Sequence, residues 1–170
     1  MITLSEIKKA ILKINDTEII HDDDDENKGR LKFKKNNDTF TIYSIPENTL
    51  SKTNLRLSCL IKLPKEKRIT KKEGEVIEST LNLIGNTPCR IVCIYDKEDE
   101  MSEGKFFITN LYTDKLDHFK KIQNGEFKSS DIVILILAMI VEIMICTQEI
   151  TAQAYNIIER RNKGEITDGE

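Results

Sequence analysis

The run of apolar residues from Ile132 to Cys146 constrains the fold of this chain more than any other feature. Fourteen of its fifteen residues are apolar, whereas 32% of the residues in the whole chain are charged. Such a run is stable in water only when another surface covers it. The cover is a lipid bilayer, a sheet of the same chain or a second copy of the protein, and each implies a different biology.

The length of this run and its polar interruption argue against a membrane span. A transmembrane helix needs about 20 consecutive, predominantly apolar residues, but the unbroken run ends at Val141 and Glu142 follows. A carboxylate near the bilayer centre costs roughly 2.5–3.5 kcal/mol. We therefore predict a buried helix and no membrane insertion. The first residues form an ordinary amphipathic segment without a signal-peptide pattern, which predicts a cytoplasmic protein.

Length and charge predict one domain over residues 1–170, with an acidic loop near residues 21–28 and a flexible tail from about residue 162. A chain of 170 residues can bury a substantial core but is short for two domains. The net charge of −3 does not favour nucleic-acid binding, and the basic segment 65–72 lacks interleaved aromatic residues. Tryptophan is absent, so the core is predicted to be mainly aliphatic.

The four cysteines are predicted to be free, buried thiols. Cys59, Cys89, Cys93 and Cys146 all lie in apolar segments, unlike the loop cysteines of disulfide-rich secreted domains. Zinc sites usually pair a C-x-x-C motif with a second pair of ligands, which this chain does not offer. On a strand, Cys89 and Cys93 would lie about 13 Å apart, too far for one metal ion. We expect no metal and no cofactor.

Two helices begin with the same capping signal. Thr3 and Glu6 form a T-x-x-E box before an apolar stripe at helical spacing, and Thr70 and Glu73 form a second one. Gly85 is placed to cap the end of the second helix. Ser129 or Ser130 is predicted to cap the long final helix, with an acidic residue favourably placed in its first turn. The apolar positions of the first two helices are Leu4, Ile7, Ile11 and Ile14, then Val76, Ile77, Leu81 and Ile84.

Between the helices, apolar residues recur at every second position instead of about every 3.6 positions. Alternation over 55–61 and 89–95 places one side of each strand against a core, and residues 105–112 form a further strand. The acidic run HDDDDEN, residues 21–27, lacks the spacing of a calcium-binding loop, so a solvated hairpin tip is predicted between short strands at 18–20 and 31–34. Residues 96–104 are predicted to form a polar hairpin loop.

This order of elements predicts an α+β domain. A helix, three strands, a helix, two strands and a final helix would form an antiparallel sheet of about five strands covered by helices. The final helix is apolar nearly all round, which exceeds what one sheet face requires. We therefore expect part of it to contact a neighbouring helix or a second subunit.

Recognisable catalytic machinery is missing from the sequence. No P-loop, nucleophile elbow, dinucleotide fingerprint or H-E-x-x-H motif occurs. His21 adjoins the acidic run and His118 lies in a charged segment, so neither resembles a catalytic base. Glu142 is the one charged residue within the apolar run, and we expect it to face solvent. These observations predict a protein without enzymatic activity.

The pattern of elements resembles the class I type III secretion chaperones and the related YbjN-like proteins. The opening stripe, the strand pair 89–99 and 104–113, and the helix start FKSSDIVIL at 127–135 carry this resemblance, together with FTIYSIPENTLSKTNLRLSCLIKLP at 40–64 and VIESTLNLIGN at 76–86. The very apolar final helix favours the YbjN-like branch. The resemblance implies a bacterial, non-enzymatic domain, often a homodimer, that binds another polypeptide.

The resulting functional hypothesis is a protein-binding adaptor or chaperone-like domain. Its partner is a client or regulatory target, and an exposed sheet face or the second helix is the expected contact surface. On that helix the candidate partner-binding residues are Val76, Ile77, Leu81 and Ile84. Two alternatives stay open: a small-ligand sensor or enzyme with a pocket between sheet and helices, and an immunity-type inhibitor that uses its acidic loop.

Overall fold

The computed structural model describes residues 3–22, 29–44, 55–64, 68–84, 89–95, 101–111, 126 and 128–166. These residues form an α+β fold, which confirms the predicted class. The helices among them are α1 (Leu4–Ile11), α2 (Lys71–Ile84) and α3 (Ser129–Asn162). The strands are β1 (Thr17–Asp22), β2 (Arg30–Lys35), β3 (Asp38–Ser44), β4 (Leu55–Lys62), β5 (Arg68–Thr70), β6 (Cys89–Ile94), β7 (Met101–Glu103) and β8 (Lys105–Leu111).

Six strands form one antiparallel sheet in the order β1-β2-β3-β4-β8-β6. The sequence predicted about five strands; the main sheet has four before α2 and two after it. Residues 101–103, predicted to belong to a hairpin loop, instead form β7, which pairs with β5 in a separate two-stranded sheet. With three residues each, β5 and β7 are too short for alternation of apolar and polar residues to be recognised in the sequence. The predicted acidic loop tip and Gly85 lie outside the described residues.

Both predicted capping boxes are present. At α1 the amide of Glu6 donates to Thr3 Oγ1 at 3.3 Å and the Thr3 amide donates to Glu6 Oε2 at 2.8 Å. At α2 the amide of Glu73 donates to Thr70 Oγ1 at 3.2 Å, and the Thr70 amide donates to Glu73 Oε2 at 2.6 Å. Each box satisfies two amide groups that an isolated helix start leaves unpaired.

One face of the sheet forms the core, and α1 and α3 cover it. Cross-strand neighbours at the centre of this inner face include Phe33, Phe40, Cys59, Ile108 and Ile91, and all five are at most 3% exposed. The predicted alternation in β4 and β6 is confirmed by their burial. From α3, the core residues are Ile132, Leu135, Ile136, Met139, Ile140, Ile143, Cys146, Ile150 and Ala154.

Helix α3 also contacts α1 and α2, as its excess of apolar residues predicted. Near its start, Lys13 Nζ donates to Ser129 Oγ at 2.7 Å. Near its end, the Arg161 guanidinium donates to the Arg68 carbonyl at 2.9 Å and lies 3.7 Å from the buried Glu73 carboxylate. These contacts connect the two ends of α3 to the rest of the fold.

Two sequence-based expectations for α3 are wrong. The N-cap residue is Lys128, whose amide donates to the Asp131 carboxylate at 2.6 Å, so neither predicted serine caps the helix. Glu142 does not simply face solvent: it is half-buried and accepts a hydrogen bond from the side chain of Asn110, which is 1% exposed. A buried amide donor without a hydrogen-bond partner destabilises the folded state. The hydrogen bond to Glu142 avoids this cost for Asn110.

The edge strand β6 is covered by side chains from α2. Asn82 donates to the Ile91 carbonyl at 2.8 Å and accepts the Ile91 amide at 3.0 Å. The Cys93 amide donates to Glu78 Oε2 at 2.7 Å. Backbone groups that would otherwise be open for pairing with another strand are therefore satisfied.

Candidate interaction surface on helix α3

The side of α3 that faces away from the sheet carries an exposed row of mostly apolar residues, which we call the α3 stripe. Ile134 and Val141 are each 51% exposed, Ile145 is 44% exposed and Tyr155 is 57% exposed. Met144, beside the row, is 41% exposed. The stripe consists of Ile134, Ala138, Val141, Ile145, Gln148, Ala152 and Tyr155.

The positions of the stripe follow alternating steps of four and three residues. This is the spacing of the two contact positions in a heptad repeat, which keeps them on one side of a helix that packs along another helix. From Ile134 to Tyr155 the stripe spans 21 residue steps, or about 32 Å at 1.5 Å per residue. Ile136, Ile143 and Ile150 lie on the opposite side and are buried in the core. The stripe is therefore additional to the face that the sheet covers.

The C-terminal half of the stripe borders a shallow groove, and the described residues that line it are uncharged. Its lining residues include Thr147, Thr151 and Ala152. The two threonine hydroxyls donate to the carbonyls four residues earlier, at 2.9 Å and 2.8 Å. Hydroxyls paired within the helix are less available to bind a polar ligand, so the groove suits an apolar contact better than a reaction.

The four partner-binding residues predicted on α2 do not share one exposed surface. Val76 is 48% exposed, but Ile77 and Leu81 belong to the core at 1% and 9% exposure. The side chain of Ile84 lies outside the described residues. The sequence did not single out the α3 stripe, because a helix that is apolar nearly all round does not reveal which side faces the sheet.

A second, polar cleft lies between α2 and β6. Lys71, Glu75, Glu78, Cys93 and Tyr95 contribute to its lining. Burial raises the pKa of the Cys93 thiol to about 11, partly offset by its hydrogen bond with Tyr95. Burial also raises the pKa of Tyr95, whose hydroxyl donates to the Thr70 carbonyl at 2.6 Å. Because its thiol is protonated at neutral pH, Cys93 is not an activated nucleophile.

The remaining thiols are no more reactive. All four cysteines are free, as predicted; Cys59, Cys89 and Cys146 are also buried as predicted, whereas Cys93 is only half-buried. Burial raises the pKa of Cys59 to about 12. A hydrogen bond with Cys146, followed by burial, raises the pKa of Cys89. In the part of the chain that the structure describes, no three His, Cys, Asp or Glu side chains come together as a metal site.

The raised pKa of Cys93 predicts a loss of stability at alkaline pH. Unfolding returns the pKa of the Cys93 thiol from about 11 to its ordinary value of 9.0. The unfolded chain therefore loses this proton at a lower pH than the folded chain. The contribution to stability is complete below pH 9 and is lost between pH 9 and about pH 11. Urea unfolding at pH 8–11 should show a steeper decline for the native sequence than for Cys93→Ser; parallel declines would contradict this assignment.

No family model, curated protein or solved structure matches this chain. By length and composition alone, α3 could cross a membrane, although 39% of its most apolar stretch is buried inside the fold.

Proposed function

We propose that this chain is a non-catalytic protein-binding domain that acts as a homodimer, an adaptor or chaperone for another polypeptide. The α3 stripe carries this proposal, because it is a long apolar surface that the described part of the fold leaves exposed. A second copy of the chain presents the same apolar stripe, so the two stripes can cover each other. Free thiols are typical of a reducing compartment, which favours the cytoplasm.

The size of the stripe is adequate for pairing. Its half-exposed large side chains, with Met144, each offer on the order of 100 Å² of apolar surface. Burying them from two copies removes roughly 1,000 Å² from water, the lower limit for a specific interface. Ala138 and Ala152 have small side chains, which allow two helix axes to approach within about 8–10 Å.

An antiparallel arrangement about a two-fold axis near residue 143 places both alanines of the stripe opposite larger residues of the second copy. Ile145 then lies opposite Val141 of the second copy, and Ala152 lies opposite Ile134. A parallel pairing would place Ala138 against Ala138 and Ala152 against Ala152, which leaves space between the helices. An interface formed by the same patch on both copies also closes after two subunits.

Introducing a charge into the stripe should separate the subunits. We expect light scattering of the native protein to give twice the chain mass of 19.6 kDa. Val141→Lys or Ile145→Glu should give the mass of one chain, because an unpaired charge is costly at an apolar interface. Leu83→Glu is the matched control: Leu83 is 85% exposed on α2 and should leave the mass unchanged.

Mixing the two charged variants tests the arrangement. In the antiparallel pair the introduced lysine lies beside the introduced glutamate, so Val141→Lys and Ile145→Glu should associate with each other although neither self-associates. A native protein that is monomeric at every concentration would refute the homodimer. A dimer that tolerates both substitutions would place the interface elsewhere.

The membrane is the competing cover for the stripe. Gln148 interrupts the row, and the opposite side of α3 is committed to the core, so the stripe alone would contact lipid. Flotation with phosphatidylcholine and phosphatidylglycerol vesicles should leave the native protein in the soluble fraction. Flotation that is lost in Val141→Lys would favour lipid over a second copy.

A further inference from the structure

The outer face of the main sheet, which points away from α1 and α3, is strongly basic although the whole chain has a net charge of −3. Strand register assigns its members, since inner-face and outer-face residues alternate. Among the described residues of this face, Glu18 is the single acidic one, and it lies opposite Lys34. The cationic residues are Arg30, Lys32, Lys34, Arg56, Lys62, Arg90 and Lys105.

An apolar row crosses the same face. Leu60, Phe107 and Val92 are direct cross-strand neighbours on β4, β8 and β6. Leu60 is 49% exposed, Val92 is 38% exposed and Phe107 is half-buried. Directly opposed side chains lie about 4.5–5.5 Å apart, so the three form one continuous surface.

Cations border this apolar row. Lys62 and Lys105 face each other in the next row, which continues to Ile94 at 39% exposure. Arg90, exposed on β6, lies on the other side of the row. We call this combination of the apolar row and the surrounding cations the basic outer face.

We propose that the basic outer face binds an acidic polypeptide segment that also carries large apolar side chains. Carboxylates of the segment would pair with the exposed cations Lys32, Lys34, Lys62 and Arg90, while its apolar side chains cover the row Leu60–Phe107–Val92. This inference rests on the proposed function and names the class of polypeptide that the domain would accept.

The spacing of aromatic residues favours a polypeptide over a single-stranded nucleic acid. Nucleic-acid platforms use aromatic side chains on which successive bases stack. Tyr43 and Phe107 are the aromatic residues of the described outer face, and they lie two strands and four residues apart, roughly 16 Å. This distance is too long for neighbouring bases, whereas the aliphatic part of the row suits leucine or phenylalanine side chains.

The binding test uses fluorescence anisotropy with the full chain. The probe is a labelled 12-residue peptide of alternating glutamate and leucine. Comparison probes are a lysine–leucine peptide, a glutamate–serine peptide and a 12-nucleotide oligothymidine. We expect the glutamate–leucine peptide to bind at least tenfold more tightly than each comparison probe, and its binding to weaken as salt rises from 50 to 300 mM.

Substitutions localise the contact. Lys32→Glu and Arg90→Glu should each weaken peptide binding at least tenfold, and Leu60→Ser should weaken it with little change in salt dependence. Lys9→Glu is the matched control, since Lys9 is exposed on α1, and it should bind like the native chain. Circular dichroism verifies that each variant is folded; a variant that fails to fold is replaced by Lys34→Glu.

The outcomes separate this inference from the proposed homodimer. Peptide binding that persists in the Val141→Lys variant supports the basic outer face whatever the subunit mass. No binding of the glutamate–leucine peptide, or equal loss in Lys9→Glu, would overturn the inference while leaving the homodimer intact. Tighter binding of oligothymidine would identify the face as a nucleic-acid surface and would also overturn it.

Discussion

Replacing Phe33 with alanine is expected to lower the free energy of unfolding by about 3–5 kcal/mol. Phe33 is fully buried at the centre of the inner face, and its ring stacks on Phe40 with centroids 5.5 Å apart. Because the surrounding core relaxes only partly, truncation of Phe33 leaves a cavity beside Phe40. Urea unfolding monitored by circular dichroism measures the difference.

Phe107→Ala provides the matched control for this loss. Phe107 is also a strand residue of the main sheet but lies half-buried on the outer face. Its truncation should cost about 1 kcal/mol, the usual size for a partly exposed side chain. Similar losses for the two variants would mean that the inner face is not the principal core.

Replacing Gly74 with alanine is expected to destabilise the domain by about 1–3 kcal/mol or more, although alanine is the better helix former. A Cβ atom at Gly74 would lie 1.9 Å from the Tyr95 hydroxyl oxygen and 2.6 Å from Cys93 Sγ. The Tyr95 hydroxyl lies beside Gly74 and donates to the Thr70 carbonyl. The clash would displace Tyr95 and break that hydrogen bond.

A second substitution tests whether the close contact with Tyr95 is the cause. In a Tyr95→Ala background, Gly74→Ala should cost less, because the contact with the Tyr95 hydroxyl is gone and only the contact with Cys93 Sγ remains. Lys72→Ala, on the exposed side of α2, should be nearly neutral. Purely additive effects of Gly74→Ala and Tyr95→Ala would show that the contact with Tyr95 is not the cause.

Local sequence patterns predicted much of the fold. The capping boxes at Thr3 and Thr70 involve residues three positions apart, so the whole interaction is visible in a short segment. Alternation in β4 predicted which side chains reach the core because residues two apart share a face. The antiparallel sheet followed from the short connections between strands.

The remaining features depend on contacts between distant segments. The sequence predicted that Glu142 faces solvent. Its hydrogen-bond partner, Asn110, lies 32 residues earlier in the chain, so no local pattern connects the two residues. The covering of β6 by Asn82 and Glu78 similarly needs the packing of α2 against the sheet edge. No pattern within a single element contains this information.

The candidate surfaces were less predictable than the fold. The run 132–146 was recognised as too apolar for one sheet face, but the heptad spacing of the α3 stripe has meaning only after the core-facing side is known. The cations of the basic outer face are likewise scattered over 76 sequence positions, from Arg30 to Lys105. Pairing of β2, β4, β8 and β6 brings them together.

The side-chain covering of β6 has a consequence for aggregation. A sheet with an open edge can recruit a strand from another molecule and grow without limit. At β6 the helix α2 already occupies the outward hydrogen-bonding positions of Ile91 and Cys93, and at the opposite edge β1 is irregular between Ile19 and His21. A chain with exposed apolar surfaces can thus associate through its helix or its sheet face while its sheet edges resist fibril-like growth.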